Sequence, residues 1–128
     1  MDEPFIPFRR SWSQKFGGAF RGWWIGSRGH SSFIVHLPAA LVAVGAGAYF
    51  RIQANEWCLL IVCIASVIGA EFFNSALESL AKAITPSRNE HIGQALDIAS
   101  GAVLAVSVGA VVVGLIIFLP RCVALFSK

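Results

Sequence analysis

The sequence predicts an all-α membrane protein, in which an amphipathic helix on the membrane surface precedes three transmembrane helices. Of its 128 residues, 56% are hydrophobic and only 13% are charged, and the mean hydropathy is +0.70. Soluble domains carry roughly a quarter charged residues, so the composition argues against a soluble enzyme, a disordered tail and a nucleic-acid-binding domain. Asp, Glu, Lys and Arg are also absent from residues 29–50, 57–70 and 98–120. At this length we expect a single membrane domain over residues 1–128.

The N-terminal segment, about residues 8–30, is predicted to form an amphipathic helix in the membrane interface. Aromatic residues recur there at every fourth position, at Phe8, Trp12, Phe16, Phe20 and Trp24. Basic residues flank this apolar stripe, which is typical of helices that bind a membrane surface. A soluble amphipathic helix would show the same spacing. The segment lacks the apolar core and cleavage site of a signal peptide, so we do not expect it to be removed.

Three transmembrane helices are predicted at 33–50, 57–84 and 95–119. The first and third charge-free stretches match the roughly 20 residues that cross a bilayer. The middle stretch is long enough only if its helix continues through Glu71 and Glu78. Two carboxylates then lie inside a spanning helix, where they are costly and usually functional. Small residues at four-residue steps on the first and third helices predict close helix packing and contacts between copies of the chain.

Orientation follows from the distribution of basic residues. With three spans, most of them lie on the N-terminal side: Arg9, Arg10, Lys15, Arg21, Arg28, Lys82 and Arg88. The opposite side holds Arg51, Arg121 and Lys128. Positive charge favours the cytoplasmic side, so the N-terminus is predicted to be cytoplasmic. The net charge of +3 then indicates attraction to anionic lipid headgroups and no nucleic-acid partner.

The candidate chemistry lies on one face of the second spanning helix, because Glu71, Asn74, Ser75 and Glu78 follow helical spacing. The helical rise places Glu71 about 21 Å from Trp57, in the cytoplasmic half of a hydrocarbon core about 30 Å thick. Glu78, nearer the cytosol, could hold Mg²⁺ on nucleotide phosphates. Glu71 could accept a proton from a lipid hydroxyl. Asn74 or Ser75 taken alone could equally be hydrogen-bonding contacts between helices.

A resemblance to a known family rests on these residues. The string Glu71-x-x-Asn74-Ser75-Ala-Leu-Glu78, followed by Ala95-x-Asp97-Ile-Ala-Ser-Gly-Ala-Val, resembles the bacterial diacylglycerol kinase and undecaprenol kinase family. The similarity extends over roughly residues 10–120. The segment Phe33-Ile-Val-His36 is more similar to the undecaprenol kinase branch.

The resemblance implies a homotrimer of three-span subunits in the bacterial inner (cytoplasmic) membrane. It implies a kinase that uses Mg²⁺ and ATP to phosphorylate a lipid alcohol, either diacylglycerol or undecaprenol, with undecaprenol favoured by the segment ending at His36. By position, Glu71 would be the catalytic base, and Glu78 with Asn74 would serve the metal and the phosphates. Asp97 would lie in the nucleotide site. Phosphoryl transfer of this kind depends on positioning and electrostatics.

The sequence also departs from the family pattern. His30 stands where the family usually has an acidic metal ligand, Leu96 where it has a lysine, and Lys82 where it has an aspartate. His30 would then be a metal ligand less suited to Mg²⁺ than a carboxylate, and either Lys82 or Arg88 could replace the missing phosphate-pairing cation. Two functions therefore remain open. One is a lipid kinase, and the other is a catalytically altered or inactive member that binds nucleotide or lipid.

Overall fold

The computed structural model describes residues 11–29, 33–84, 87 and 89–127. In this part of the chain four helices follow one another: α1 (Trp12–Gly29), α2 (Phe33–Phe50), α3 (Ala54–Ile84) and α4 (Glu90–Phe126). None of the described residues lies in a strand. The predicted all-α fold class is confirmed.

Short polar sequences define where two of the helices begin. At the start of α1, the Ser11 backbone N–H donates to Gln14 Oε1 at 3.0 Å, and the Gln14 N–H donates to Ser11 Oγ at 3.4 Å. This reciprocal pair is a capping box, which satisfies donors that a helix start leaves free. At the start of α4, Asn89 Oδ1 accepts from the N–H groups of His91 and Ile92 at 3.0 and 3.2 Å.

A tight turn joins α2 to α3. Arg51 has a positive φ of 49°. Its N–H donates to the Ala48 carbonyl, and the Ile52 N–H donates to the Gly47 carbonyl at 3.1 Å. This is the Schellman pattern, which ends a helix by satisfying its last carbonyls. The turn therefore reverses the chain directly, so that α2 and α3 pack as antiparallel neighbours.

Within the part of the chain that the structure describes, two helices are long and apolar enough to cross a membrane. These are α3 with 31 residues and α4 with 37, so they extend over about 46 and 55 Å and exceed a hydrocarbon core of roughly 30 Å. The shorter α2 is apolar over Val35–Phe50. The predicted spans 33–50, 57–84 and 95–119 fall within α2, α3 and α4, and the membrane boundaries of these spans stay predictions.

The most extensive helix contact joins α3 and α4, and α2 packs on both. An apolar cluster of Ile52, Leu60 and Ile117 forms where the α2–α3 turn meets α4. Gly47 permits this packing, because a Cβ at residue 47 would lie 2.9 Å from a ring carbon of Trp57. Farther along α3 the buried residues become polar: Glu71, Asn74 and Ser75.

The surface helix α1 packs against α3 next to these polar residues. A Cβ at Gly26 would lie 2.5 Å from a ring carbon of Phe72, so a larger residue here would force the ring or the helix to shift. The rings of Trp23 and Phe72 also lie close, with centroids 6.4 Å apart. Away from α3, Phe16 and Phe20 are 61% and 74% exposed, as expected for a helix whose apolar side chains enter lipid.

Candidate active site

Glu71 is a carboxylate buried among the helices. Its residue is 2% exposed, and its Oε1 lies 3.0 Å from Nε2 of His36 on α2. A buried carboxylate without a partner is strongly unfavourable. The contact with His36 therefore lowers the cost of burying Glu71. The predicted catalytic residue therefore lies where α2 and α3 meet.

The other polar residues of the motif lie on the same face of α3. Asn74 Nδ2 donates to Glu78 Oε1 at 3.0 Å, which holds the partly buried Glu78 carboxylate against the amide. Asn74 Oδ1 and Ser75 Oγ are buried, and neither has a hydrogen-bond partner within the described residues. Buried acceptors normally find a partner, so these two oxygens are available to a ligand.

Three further predicted site residues are not brought into this group. Lys82 on α3 and Asp97 on α4 are both exposed, and within the described residues neither makes a hydrogen bond or ion pair with Glu71, Asn74 or Glu78. His30 lies outside the described residues. The roles assigned to Lys82, Asp97 and His30 stay predictions.

His36 is the site residue that the sequence reasoning missed. In the sequence, His36 indicates only a branch of the family. However, His36 is an ionisable residue inside a predicted spanning helix, and such residues are functional candidates. Its partner could not be identified, because the contact depends on how α2 packs against α3.

An apolar groove leads to the Glu71–His36 contact. It has a volume of about 470 Å³ and lies between α2, α3 and α4, with His36 in its wall. At the far end the rings of Phe50 and Phe118, whose centroids are 6.2 Å apart, come together. His36 and Phe50 are about 21 Å apart along α2. The groove therefore has the length and apolar lining to accept a hydrocarbon chain with its polar end near Glu71.

The oxygen atoms of Glu78 and Asn74 are candidate ligands for Mg²⁺. Within the described residues, no three His, Cys, Asp or Glu side chains form a group that could hold a metal. Proteins usually hold Mg²⁺ through one or two carboxylates, while water and substrate phosphates supply the remaining oxygens. The Glu78 carboxylate and the unpartnered amide oxygen of Asn74 are donors of this type. The site fits a magnesium ion that arrives with nucleotide phosphates.

Comparison with known proteins agrees with the motif and the fold. A family model described as prokaryotic diacylglycerol kinase matches residues 17–118. The undecaprenol kinase of Bacillus subtilis (strain 168) is 31% identical over 108 residues, which cover 84% of this chain and 88% of the relative. The chain thus belongs to the prokaryotic diacylglycerol kinase family of membrane lipid kinases.

Proposed function

We propose that this kinase transfers the γ-phosphate of ATP to the hydroxyl of a lipid alcohol at the cytoplasmic interface of the bacterial inner membrane. The observation that carries the proposal is the position of Glu71. Its carboxylate is 2% exposed and contacts His36, which lines an apolar groove. A lipid whose chain lies in that groove presents its hydroxyl to the carboxylate.

In the proposed step, the lipid hydroxyl oxygen attacks the γ-phosphorus of ATP. A new P–O bond forms to the lipid, the bond from the γ-phosphorus to the bridging oxygen breaks, and ADP leaves. Glu71 takes the hydroxyl proton on Oε2, the oxygen that does not contact His36. Asn74 and Glu78 bind the phosphates and their counter-ion, with Lys82 and Asp97 on the nucleotide side. Mg²⁺ bound with the nucleotide would neutralise phosphate charge, and His30 would add a ligand.

A polyprenol such as undecaprenol is the proposed substrate class, in preference to diacylglycerol. The segment Phe33-Ile-Val-His36, which is more similar to the undecaprenol kinase branch, favours this class. The apolar groove of about 470 Å³ would hold part of a polyprenol chain. The name of the Bacillus relative, undecaprenol kinase, supports the same choice.

The proposed assembly is a homotrimer that crosses the membrane several times, with its N-terminus in the cytoplasm. Many large apolar side chains on α2, α3 and α4 are exposed in the single chain, among them Val42 at 72%, Leu104 at 65% and Ile116 at 69%. An apolar surface of this extent needs lipid or further copies of the chain to cover it. The excess of basic residues on the N-terminal side supports the orientation.

The test is transfer of labelled γ-phosphate from MgATP in detergent–lipid micelles. Diacylglycerol and undecaprenol are offered in parallel, with the parental protein and Glu71→Gln. We expect label in undecaprenol with the parental protein and none with Glu71→Gln. Label mainly in diacylglycerol would contradict the substrate class.

Label in neither lipid, from a correctly assembled protein, would favour the alternative function of a nucleotide- or lipid-binding family member. Thermal stabilisation by MgATP then separates the two cases, because a ligand raises stability only if it binds the folded state. Stabilisation without turnover would support the binding protein.

A further inference from the structure

We propose that His36 is a positioning residue that holds the Glu71 carboxylate toward the lipid hydroxyl. This inference rests on the proposed function, since it assigns a role toward the base of that reaction. Nε2 of His36 lies 3.0 Å from Oε1 of Glu71, and the two side chains are 23% and 3% exposed. The contact joins α2 to α3.

The two atoms lie within hydrogen-bond distance of each other, at 3.0 Å. In the proposed arrangement Nε2 of His36 donates to Oε1 of the Glu71 carboxylate. Because this hydrogen bond holds Oε1 in place, it also sets the direction in which Oε2 points. A base that is held by a second group accepts a proton more efficiently, because the rotamer is settled before the substrate arrives.

No other described residue makes this contact. Asn74 Nδ2 is engaged with Glu78 at 3.0 Å, and the acidic and basic side chains that follow on α3, Glu78 and Lys82, lie about two and three turns farther along the helix. Within the described residues, His36 is the polar partner recorded for the Glu71 side chain. Removing the imidazole therefore leaves a buried carboxylate without support.

The position of His36 in the groove adds a second argument. The imidazole lies in the groove wall, so a lipid chain in the groove passes it before the hydroxyl reaches Glu71. The residue therefore contacts both the proposed base and the route of the substrate. A side chain that only filled space between helices would not need a polar atom 3.0 Å from the base.

The experiment compares His36→Ala and His36→Gln with the parental protein in the phosphate-transfer assay. We expect His36→Ala to lower kcat about 100-fold, a loss typical when a group that orients a reactive side chain is removed. The KM for MgATP should change less than about two-fold, because the nucleotide is bound by other residues. His36→Gln should recover kcat to within about ten-fold of the parental value, since its amide N–H can replace the Nε2 donor.

The matched control is His91→Ala, which removes an exposed histidine at the start of α4 and should retain parental kcat. Parental kcat in His36→Ala would overturn the proposal. So would a His36→Gln variant as slow as His36→Ala, because a hydrogen-bond donor at residue 36 would then fail to restore turnover.

A second measurement does not depend on turnover. Melting temperatures of His36→Ala, Glu71→Leu and the double variant form a double-mutant cycle, in which leucine removes the acceptor oxygens of residue 71 at similar volume. We expect the double variant to lose clearly less than the two single losses combined, because both remove the same contact. Additive losses would overturn the contact. If the parental protein transfers no phosphate, the proposed function fails, while this cycle still reports on the His36–Glu71 contact.

Discussion

Helix α3 carries two glutamates whose environments differ. Near its start, Glu56 Oε2 accepts from the Gln53 N–H at 2.8 Å and from Arg121 Nη2 at 2.7 Å. The Glu56 and Arg121 side chains are 20% and 28% exposed. Glu71, about four turns farther along the helix, is 3% exposed at its side chain and contacts an imidazole. One acid is fully partnered near the surface, and the other is buried with a weaker partner.

The difference is consistent with a structural role for Glu56 and with the catalytic role proposed for Glu71. The partner of Glu56 is an arginine, whose charge is permanent, and the Arg121 side chain also donates to the Ile117 carbonyl. Glu71 instead contacts an imidazole and is nearly fully buried. Burying a carboxylate there costs stability that burying an apolar residue would not. We infer that Glu71 is retained for chemistry and Glu56 for the helix end and the α3–α4 contact.

The largest expected effect comes from replacing Glu71 with glutamine, and the same replacement at Glu56 serves as the control. Glu71→Gln should reduce phosphate transfer by about 10³-fold, within the range expected for losing a general base, while assembly on size exclusion stays unchanged. Glu56→Gln should retain turnover within about two-fold, because its contacts lie far from the site. Equal losses of turnover in the two variants would remove the distinction between them.

A smaller effect is expected in the apolar cluster beside Glu56. Ile117 is 3% exposed, and Ile117→Ala should lower the free energy of unfolding by about 2 kcal/mol through lost packing. Turnover per folded molecule should change little. Ile116→Ala is the control, because Ile116 is 69% exposed. Denaturant titration in detergent measures both, and a kcat loss in Ile117→Ala without loss of stability would show that the two regions are coupled.

The smallest of these effects concerns Glu78. Glu78→Gln should raise the Mg²⁺ concentration needed for half-maximal activity about ten-fold, because one carboxylate oxygen ligand is replaced by an amide. Turnover at saturating Mg²⁺ should fall less. Glu90→Gln, at the exposed start of α4, serves as the matched acidic control. Superimposable metal titrations for Glu78→Gln and the parental protein would reject the ligand role.

Much of the fold could be predicted from the sequence, because charges are excluded from a hydrocarbon core. The charge-free stretches 29–50 and 98–120 therefore lead directly to α2 and α4. The helical spacing from Glu71 to Glu78 likewise predicts a shared face, and the structure buries Glu71, Asn74 and Ser75 together. These predictions depend only on local periodicity and hydropathy.

The remaining features depend on how separate helices meet. The pairing of His36 with Glu71 and of Arg121 with Glu56 joins residues far apart in sequence, and no local pattern specifies such pairs. The start of α1 at Trp12 depends on the Ser11–Gln14 capping box, which hydrophobic spacing does not report. The aromatic stripe continues to Phe8, which lies outside the described residues.

With α1 in the membrane interface, as the sequence predicts, Gly26 would couple the depth of Glu71 to the position of the lipid headgroups. The missing side chain lets α1 rest on Phe72, the residue directly after Glu71. A helix that lies in the interface follows the headgroups when the bilayer becomes thinner or thicker, whereas a spanning helix adapts by tilting. Because α1 and α3 are in contact at this point, we expect a change in hydrophobic thickness to strain the site. We expect turnover in vesicles of graded acyl length to peak at one bilayer thickness, so that the activity of the enzyme would report the thickness of its membrane.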